Sequence, residues 1–338
     1  MIKLAGDDVG IFQEKTVPRE TRLAGWARLA GSLRIAAPVR RPACVSEQHI
    51  GGSSREEGAW TIFDKRYWPG DSFGEHLTFA LRHEAIDLLI LKRIFDAVPK
   101  RELEKMVRGA PTGIPARRLW YLHEEMTGRT LGVADAPNTA AIDLLDPEAY
   151  FTGKPRLSRR HRVRDNLLGT ARFSPVIRRT QSLTDFIALN LSAKARETAG
   201  RTGAHLVARA ASFLLLADSR ASFEIEGERP PRNRLERWGR AILQAGKNPL
   251  TLEEILRLQS ILIEDTRFVR PGLRPEGVFI GERDHHGDPL PEFVGARPQD
   301  LAGLLSGLLE ANNRMREDGI DPVLKAAATA FAFVYIHP

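Results

Sequence analysis

Apolar positions in the second half of the chain recur at helical spacing in separated runs, and the clearest run is the last. From Pro322 onward, Val323, Leu324, Ala327, Phe331 and Val334 fall three or four residues apart, the spacing of one buried helix face. Asp321 and Pro322 open the run well, an N-cap carboxylate followed by proline at the first helical position. The run closes on His337-Pro338, and a proline disfavours the α conformation for the residue before it. His337 is therefore expected where helix gives way to loop. The same periodicity predicts helices near 183–198, 205–226, 233–245, 252–263 and 299–316. Between the last two, Val278-Phe279-Ile280-Gly281 and Phe293-Val294-Gly295 are β-prone runs around a Gly/Asp/Pro turn, the pattern of a hairpin with a long loop.

The first half is less patterned. Residues 1–70 give only a flexible Gly51-Gly52-Ser53-Ser54 loop and a short strand or buried segment at Trp60-Thr61-Ile62-Phe63. From Glu75, the positions of Leu77, Leu81, Leu88, Leu89 and Ile94 predict helix through about Phe95. A second helix is expected near 100–108 and a third near 115–127, stopped by Gly128 in a left-handed cap. Three short helices in series are compatible with a helix-turn-helix whose Arg117 and Arg118 touch phosphate. The reading adopted is a small accessory domain whose arginines face solvent. The stretch 135–180 is rich in loops and prolines and reads as a connector. The expected fold is mainly α: a helical bundle with a short β-hairpin, preceded by an N-terminal helical accessory region. The expected boundaries are 1–70, 71–134, 135–180 and 181–338.

Charge sharpens the reading of the connector. Lys154, Arg156, Arg159, Arg160, Arg162, Arg164, Arg172, Arg178 and Arg179 stand against Asp165 alone between 151 and 180, so the +7 of the whole chain is concentrated there. Arg159, Arg160, Arg162 and Arg164 are candidate phosphate or partner contacts, and a nucleic acid is one partner such a patch suits. The opposing reading pairs these arginines with acidic neighbours, and from Lys154 to Arg164 no Phe, Trp or Tyr is interleaved for base stacking. The one cysteine, Cys44, cannot form an internal disulfide, which fits a cytoplasmic protein. The longest apolar stretch, 326–336, falls short of the ~20 residues that span a bilayer, so no membrane contact is expected.

Two groups stand out for chemistry. A histidine with an ordinary pKa near ~6.5 at a helix end suits proton abstraction at neutral pH; the other reading is a histidine that only terminates a core helix. Upstream, Ser222-Phe-Glu-Ile-Glu226-Gly227 closes the long 205–226 helix. The Gly/Pro pair that follows accounts for it as a helix end, with or without another role. Asp284, His285, His286 and Asp288 are of metal-ligand type, but neighbours in one turn seldom converge, and no metal site is expected there.

Together, His337-Pro338 and the Ser222–Gly227 motif resemble the Fic (Fic/Doc) family over roughly residues 180–338. His337-Pro338 is similar to the first two letters of the family's core motif, His-Pro-Phe-x-(Asp/Glu)-Gly-Asn-Gly-Arg-x-x-Arg. Ser222, Glu226 and Gly227 match its inhibitory motif, (Ser/Thr)-x-x-x-Glu-(Gly/Asn), in the position used by members that carry it before the core. The resemblance implies a transferase that moves AMP from ATP to a serine, threonine or tyrosine hydroxyl of a protein, which can be the enzyme itself. His337 would be its base and Glu226 would restrain it by pairing with a core arginine. Val278, Phe279, Ile280, Gly281, Phe293 and Val294 would form the flap that aligns the target segment. ATP and Mg²⁺ are the implied cofactors, with their ligands after Pro338, so the chain is expected to be a truncated and inactive fragment. A dimer, and a relative that moves UMP, phosphate or phosphocholine or removes AMP, are compatible with the same residues. The reading from another class is a nucleic-acid-binding regulator using 151–180 and the helical unit 75–128.

Overall fold

The computed structural model describes residues 4, 10–225, 232–242, 244, 246–262 and 272–337. Contacts divide the chain into two units, 1–146 with 154–166 and 147–153 with 167–338, so the stretch read as one connector is shared between them. Helices carry most of the regular structure, accompanied by several small sheets.

In the first unit, β1 (Ile11–Phe12) and β2 (Lys15–Thr16) form a short antiparallel ladder. Then β3 (Thr21–Ala24), β4 (Ala43–Ser46), β5 (Ser54–Glu57) and β6 (Trp60–Phe63) build a four-stranded sheet in the order β3-β4-β6-β5. The second strand, β4, is buried at all four positions and runs antiparallel to β3 and parallel to β6. Burial on both faces explains why residues 1–70 show no alternation: a strand covered on both sides is apolar throughout. Between β3 and β4 lies α1 (Gly25–Ser32).

The helix expected from Glu75 to about Phe95 is two helices, α2 (Phe73–His83) and α3 (Leu88–Ala97). Ser72 and Glu75 cap α2 reciprocally, and Asp87 starts α3 by accepting from the Ile90 N–H at 3.0 Å. Between them Glu84 turns inward and accepts the Trp26 N–H at 2.8 Å. There Gly25 has φ +52°, and a Cβ on it would lie 1.6 Å from the Glu84 carboxylate, so only glycine fits. Next come α4 (Lys100–Gly109) and α5 (Ile114–Thr127), the latter stopped by Gly128 at φ 65° as expected.

Short strands β7 (Ile142–Asp143), β8 (Tyr150–Phe151), β9 (Arg156–Ser158), β10 (Val163–Asp165) and β11 (Ile177–Arg178) form two ladders. One is β7-β10-β9 in the first unit, the other β8-β11 in the second.

The second unit continues with α6 (Gln181–Ala188), α7 (Leu191–Arg201), α8 (Ala204–Ile225), α9 (Arg232–Ile242) and α10 (Leu252–Leu262). One helix was expected over 183–198; the left-handed Asn190, at φ 47°, breaks it into α6 and α7. The hairpin strands β12 (Phe279–Arg283) and β13 (Pro289–Val294) precede α11 (Leu301–Glu317) and α12 (Pro322–Ile336). Leu301, Leu305 and Leu308 of α11 pack with Ala332 and Ile336 of α12, and Met315 and Ala328 pack with Leu168.

The buried face of α12 differs from the expected one. Leu324, Ala328, Ala332 and Ile336 point inward, while Phe331 is 72 % and Val334 59 % exposed, and Val323 and Ala327 face out as well. The helix is apolar on every side, so periodicity alone did not select a face. The two alanines at i+4 spacing, Ala328 and Ala332, let α11 approach closely, which the larger Phe331 and Val334 would not.

Candidate active site

Asp321 caps α12 by accepting from the Val323 N–H at 2.9 Å and the Leu324 N–H at 3.4 Å, and Pro322 takes the first helical position. At the other end His337 is the C-cap, at φ 47° and ψ 63°, with its N–H on the Phe333 carbonyl at 2.8 Å. Left-handed conformation is uncommon for a residue with a side chain, though less so for histidine. It turns the chain out of the helix and leaves the His337 ring exposed.

Arg274 holds this helix end. Its Nε donates to the His337 carbonyl at 2.5 Å and one terminal nitrogen to the Ile336 carbonyl at 3.2 Å. The same guanidinium reaches the Ala296 carbonyl, just after β13, and the Glu276 carbonyl at 2.6 Å, just before β12. A guanidinium offers five donors in a rigid fork, and the last carbonyls of a helix lack intrahelical partners. One side chain thus joins the end of α12 to both roots of the hairpin, and its charge complements the negative end of the helix.

The hairpin itself forms as expected. Phe279 pairs with Val294 and Ile280 with Phe293, after which the register shifts so that Gly281 faces Pro291. Gly281 has φ +145°, and a Cβ there would lie 2.2 Å from the Leu290 carbonyl oxygen, so the bulge requires glycine. Ile280 and Val294 are exposed, while Val278, Phe279 and Phe293 are half-buried. The Phe293 ring meets Tyr335 of α12 edge-on with centroids 6.3 Å apart, a second tie between hairpin and histidine helix. In the turn, one Asp284 oxygen accepts the His286 and Asp288 N–H groups, each at 2.9 Å, so this carboxylate closes the turn. Among the described residues no three His, Cys, Asp or Glu side chains gather as a metal site.

Ser222 lies in the last turn of α8, and its side chain is not among those described; Glu226 and Gly227 lie outside the described residues.

The basic segment is largely committed within the first unit. Arg160 grips Glu124 of α5 at 3.1 and 3.2 Å, bonds Asp135 at 2.5 Å and lies over the Trp120 ring. His161 completes the group, 3.0 Å from Glu124. Burial opposes ionisation of Glu124, but donors from Arg160, Trp120 and Leu131 outweigh it and lower its pKa to about 2. Arg164 forms a two-pronged pair with Asp143 at 2.7 and 2.9 Å, and Arg162 donates to the Thr139 carbonyl. Arg159 is exposed. Arg117, expected either on phosphate or in solvent, is 3 % exposed and donates to the Ala140 and Arg162 carbonyls. Arg118 donates twice to the Asp143 carbonyl. These arginines stitch loops to α5, as the opposing reading of the patch has it.

Residues 249–338 match the Fic/DOC family model. This C-terminal stretch is similar to the Fic family. It holds Arg274, the hairpin and His337, whereas Ser222–Gly227 precedes it. Fic proteins in general act as AMPylation-type transferases that use ATP and Mg²⁺. Comparison with curated proteins and with solved structures gave no significant match.

Sequence reasoning missed Arg274. It sits in a Gly272-Leu273-Arg274-Pro275 turn with no periodicity around it, and nothing in composition separates it from the chain's other arginines. Glu124 was missed too, because on an amphipathic helix a buried carboxylate looks like a solvated one.

Proposed function

We propose that the C-terminal unit belongs to a protein adenylyltransferase in which His337 is the general base and Glu226 restrains activity. A ring nitrogen of His337 takes the proton of a target hydroxyl. The oxygen bonds the α-phosphorus of ATP, the α–β phosphoanhydride bond breaks, and pyrophosphate leaves. The observation that supports this reading is the tie made by Arg274, within the Fic stretch, between the histidine-bearing helix end and the hairpin. A base must be held relative to the hydroxyl it serves, and here one guanidinium sets both the histidine and the segment that would present the target.

The target adds to the hairpin as a third strand. Among the described residues, the sheet has only its two strands, so each carries an open edge. Pro289 and Pro291 remove donors from β13, whereas β12 has no proline and is the better template for main-chain pairing. Such pairing makes little demand on target sequence, and the target can be another protein or the enzyme itself. ATP and Mg²⁺ are held by groups that the family places after the His-Pro pair. Buried Cys44, the single cysteine, fits a cytoplasmic setting, and no described helix is long and apolar enough to cross a membrane.

The test uses the complete gene product with ATP labelled at the α- or the γ-phosphate. Label passing to protein from the α position alone supports AMP transfer. Label from the γ position means phosphorylation instead, and label from neither overturns the reading.

A further inference from the structure

The first unit contains a cleft of about 620 Å³ between the turn at 65–67, α2, α4 and the start of α5. Its size falls within the ~300–1,000 Å³ of small-molecule sites. Two features of its walls point to a ligand. The first is positive charge: Arg66, Arg82 and Lys105 all line it. Glu75 is the one carboxylate among the lining residues, and it is used in capping α2, accepting the Ser72 N–H at 2.9 Å and hydroxyl at 2.6 Å. Arg66 leans on Asp64 at 3.6 Å and Lys105 on Glu102 at 3.0 Å. Arg82 is exposed and makes no hydrogen bond or ion pair with any described residue. Arg66 and Lys105 have these acids beside them, so Arg82 is the cation left to meet an anion in the concavity.

The second feature is aromatic. Tyr67, Phe79 and His83 line the same cleft and pack on one another, Tyr67 edge-on to His83 at 5.4 Å and His83 against Phe79 at 5.0 Å. Trp68 also lines it. Rings beside cations suit a ligand that is itself planar and charged at one end, because the ring stacks while the anion takes the guanidinium.

We infer that this cleft binds a small phosphate joined to a planar ring, of the nucleotide or aryl-phosphate class, with Arg82 as its principal anion contact. Neither the histidine helix nor the hairpin takes part, so the site stands whether or not AMP transfer is the activity.

The test is calorimetric titration of the intact chain with AMP, phenyl phosphate and inorganic phosphate, repeated on Arg82→Ala and Arg82→Glu. Because Arg82 is exposed and unpartnered, both variants should keep the parent's melting temperature. The expected result is binding of AMP, phenyl phosphate or both, tighter than inorganic phosphate. Affinity should weaken about tenfold or more in Arg82→Ala, the scale of one charge-assisted hydrogen bond, and vanish in Arg82→Glu. AMP affinity surviving both variants unchanged would place AMP elsewhere on the chain and overturn the assignment. So would inorganic phosphate binding as tightly as the ring compounds, or no binding of any of the three. Of the two ring compounds, AMP binding alone assigns a nucleotide and phenyl phosphate alone an aryl phosphate.

Discussion

Arg274 donates to the carbonyl of His337, so the C-cap of the histidine helix is held by a side chain 63 positions earlier. That guanidinium also takes the carbonyls of Ile336, Ala296 and Glu276, and it therefore fixes helix end and hairpin together. Arg274→Ala removes a donor from all four of these carbonyls. We expect a loss of about 1–3 kcal/mol, read from the urea midpoint of the second unit. Amide exchange at 333–337 should quicken along with it. Arg274→Lys should recover only part, since an ammonium cannot fork between segments. Unchanged exchange in Arg274→Ala would mean the helix end is held by something else.

Gly281 is the second point of control over the hairpin. Gly281→Val puts a branched side chain at φ +145°, with its Cβ within 2.2 Å of the Leu290 carbonyl. Strained backbone of this kind costs roughly 1–3 kcal/mol, enough to open a two-stranded ladder. Amides of 279–294 should lose exchange protection while α11 keeps its own. In the complete gene product, transfer to protein should fall with little change in ATP affinity.

Glu84 predicts a pH dependence. Its burial pushes the pKa up to about 8, with the Trp26 N–H opposing only in part. A carboxyl raised above its unfolded value favours the folded state while protonated, and that contribution fades as pH rises toward 8. The histidines His76, His83, His123 and His161 are lowered, chiefly by burial, and act in the opposite sense below about pH 6.5. Glu84 therefore dominates between pH 6.5 and 8, where stability should drop by up to about 2 kcal/mol. Glu84→Gln, which keeps an acceptor for Trp26, should flatten that slope. A wild-type curve already flat from pH 6.5 to 8 would rule the effect out.

Glu124 predicts the reverse. With its pKa near 2, below the unfolded carboxylate value, its contribution is whole above about pH 4.5 and is lost as pH falls toward 2. Glu124→Ala leaves His161 without its carboxylate and Arg160 with Asp135 alone as an acidic partner, and the first unit should lose about 1–3 kcal/mol. A change below 1 kcal/mol in the denaturant midpoint would show that the group is not a structural centre.

How far the sequence carried depended on what each element asks of its residues. Asp321-Pro322, Gly128 and the Val278–Gly295 hairpin were legible because caps and turns need particular residue types at particular places. Helix breaks at 84–87 and at Asn190 were not, because apolar spacing ran on through both. Residues 1–70 hid their sheet, since β4 is covered on both faces and has no alternation to read. At the site, His337 was readable from its flanking proline, whereas Arg274 acts through backbone carbonyls that carry no sequence signature. The basic segment was legible only in part for a related reason: pairing with acids could be read, but not which ones, since Arg160 and Arg164 find Glu124 and Asp143, 36 and 21 residues away.

The most direct measurement is transfer of α-labelled ATP to protein by the complete gene product as wild type, Glu226→Gly, and Glu226→Gly with His337→Ala. The account predicts faint labelling by wild type, an increase of about tenfold or more in Glu226→Gly on releasing one charge-assisted contact, and none in the double variant. Labelling in the double variant equal to that of Glu226→Gly, or no rise in Glu226→Gly at all, would contradict it.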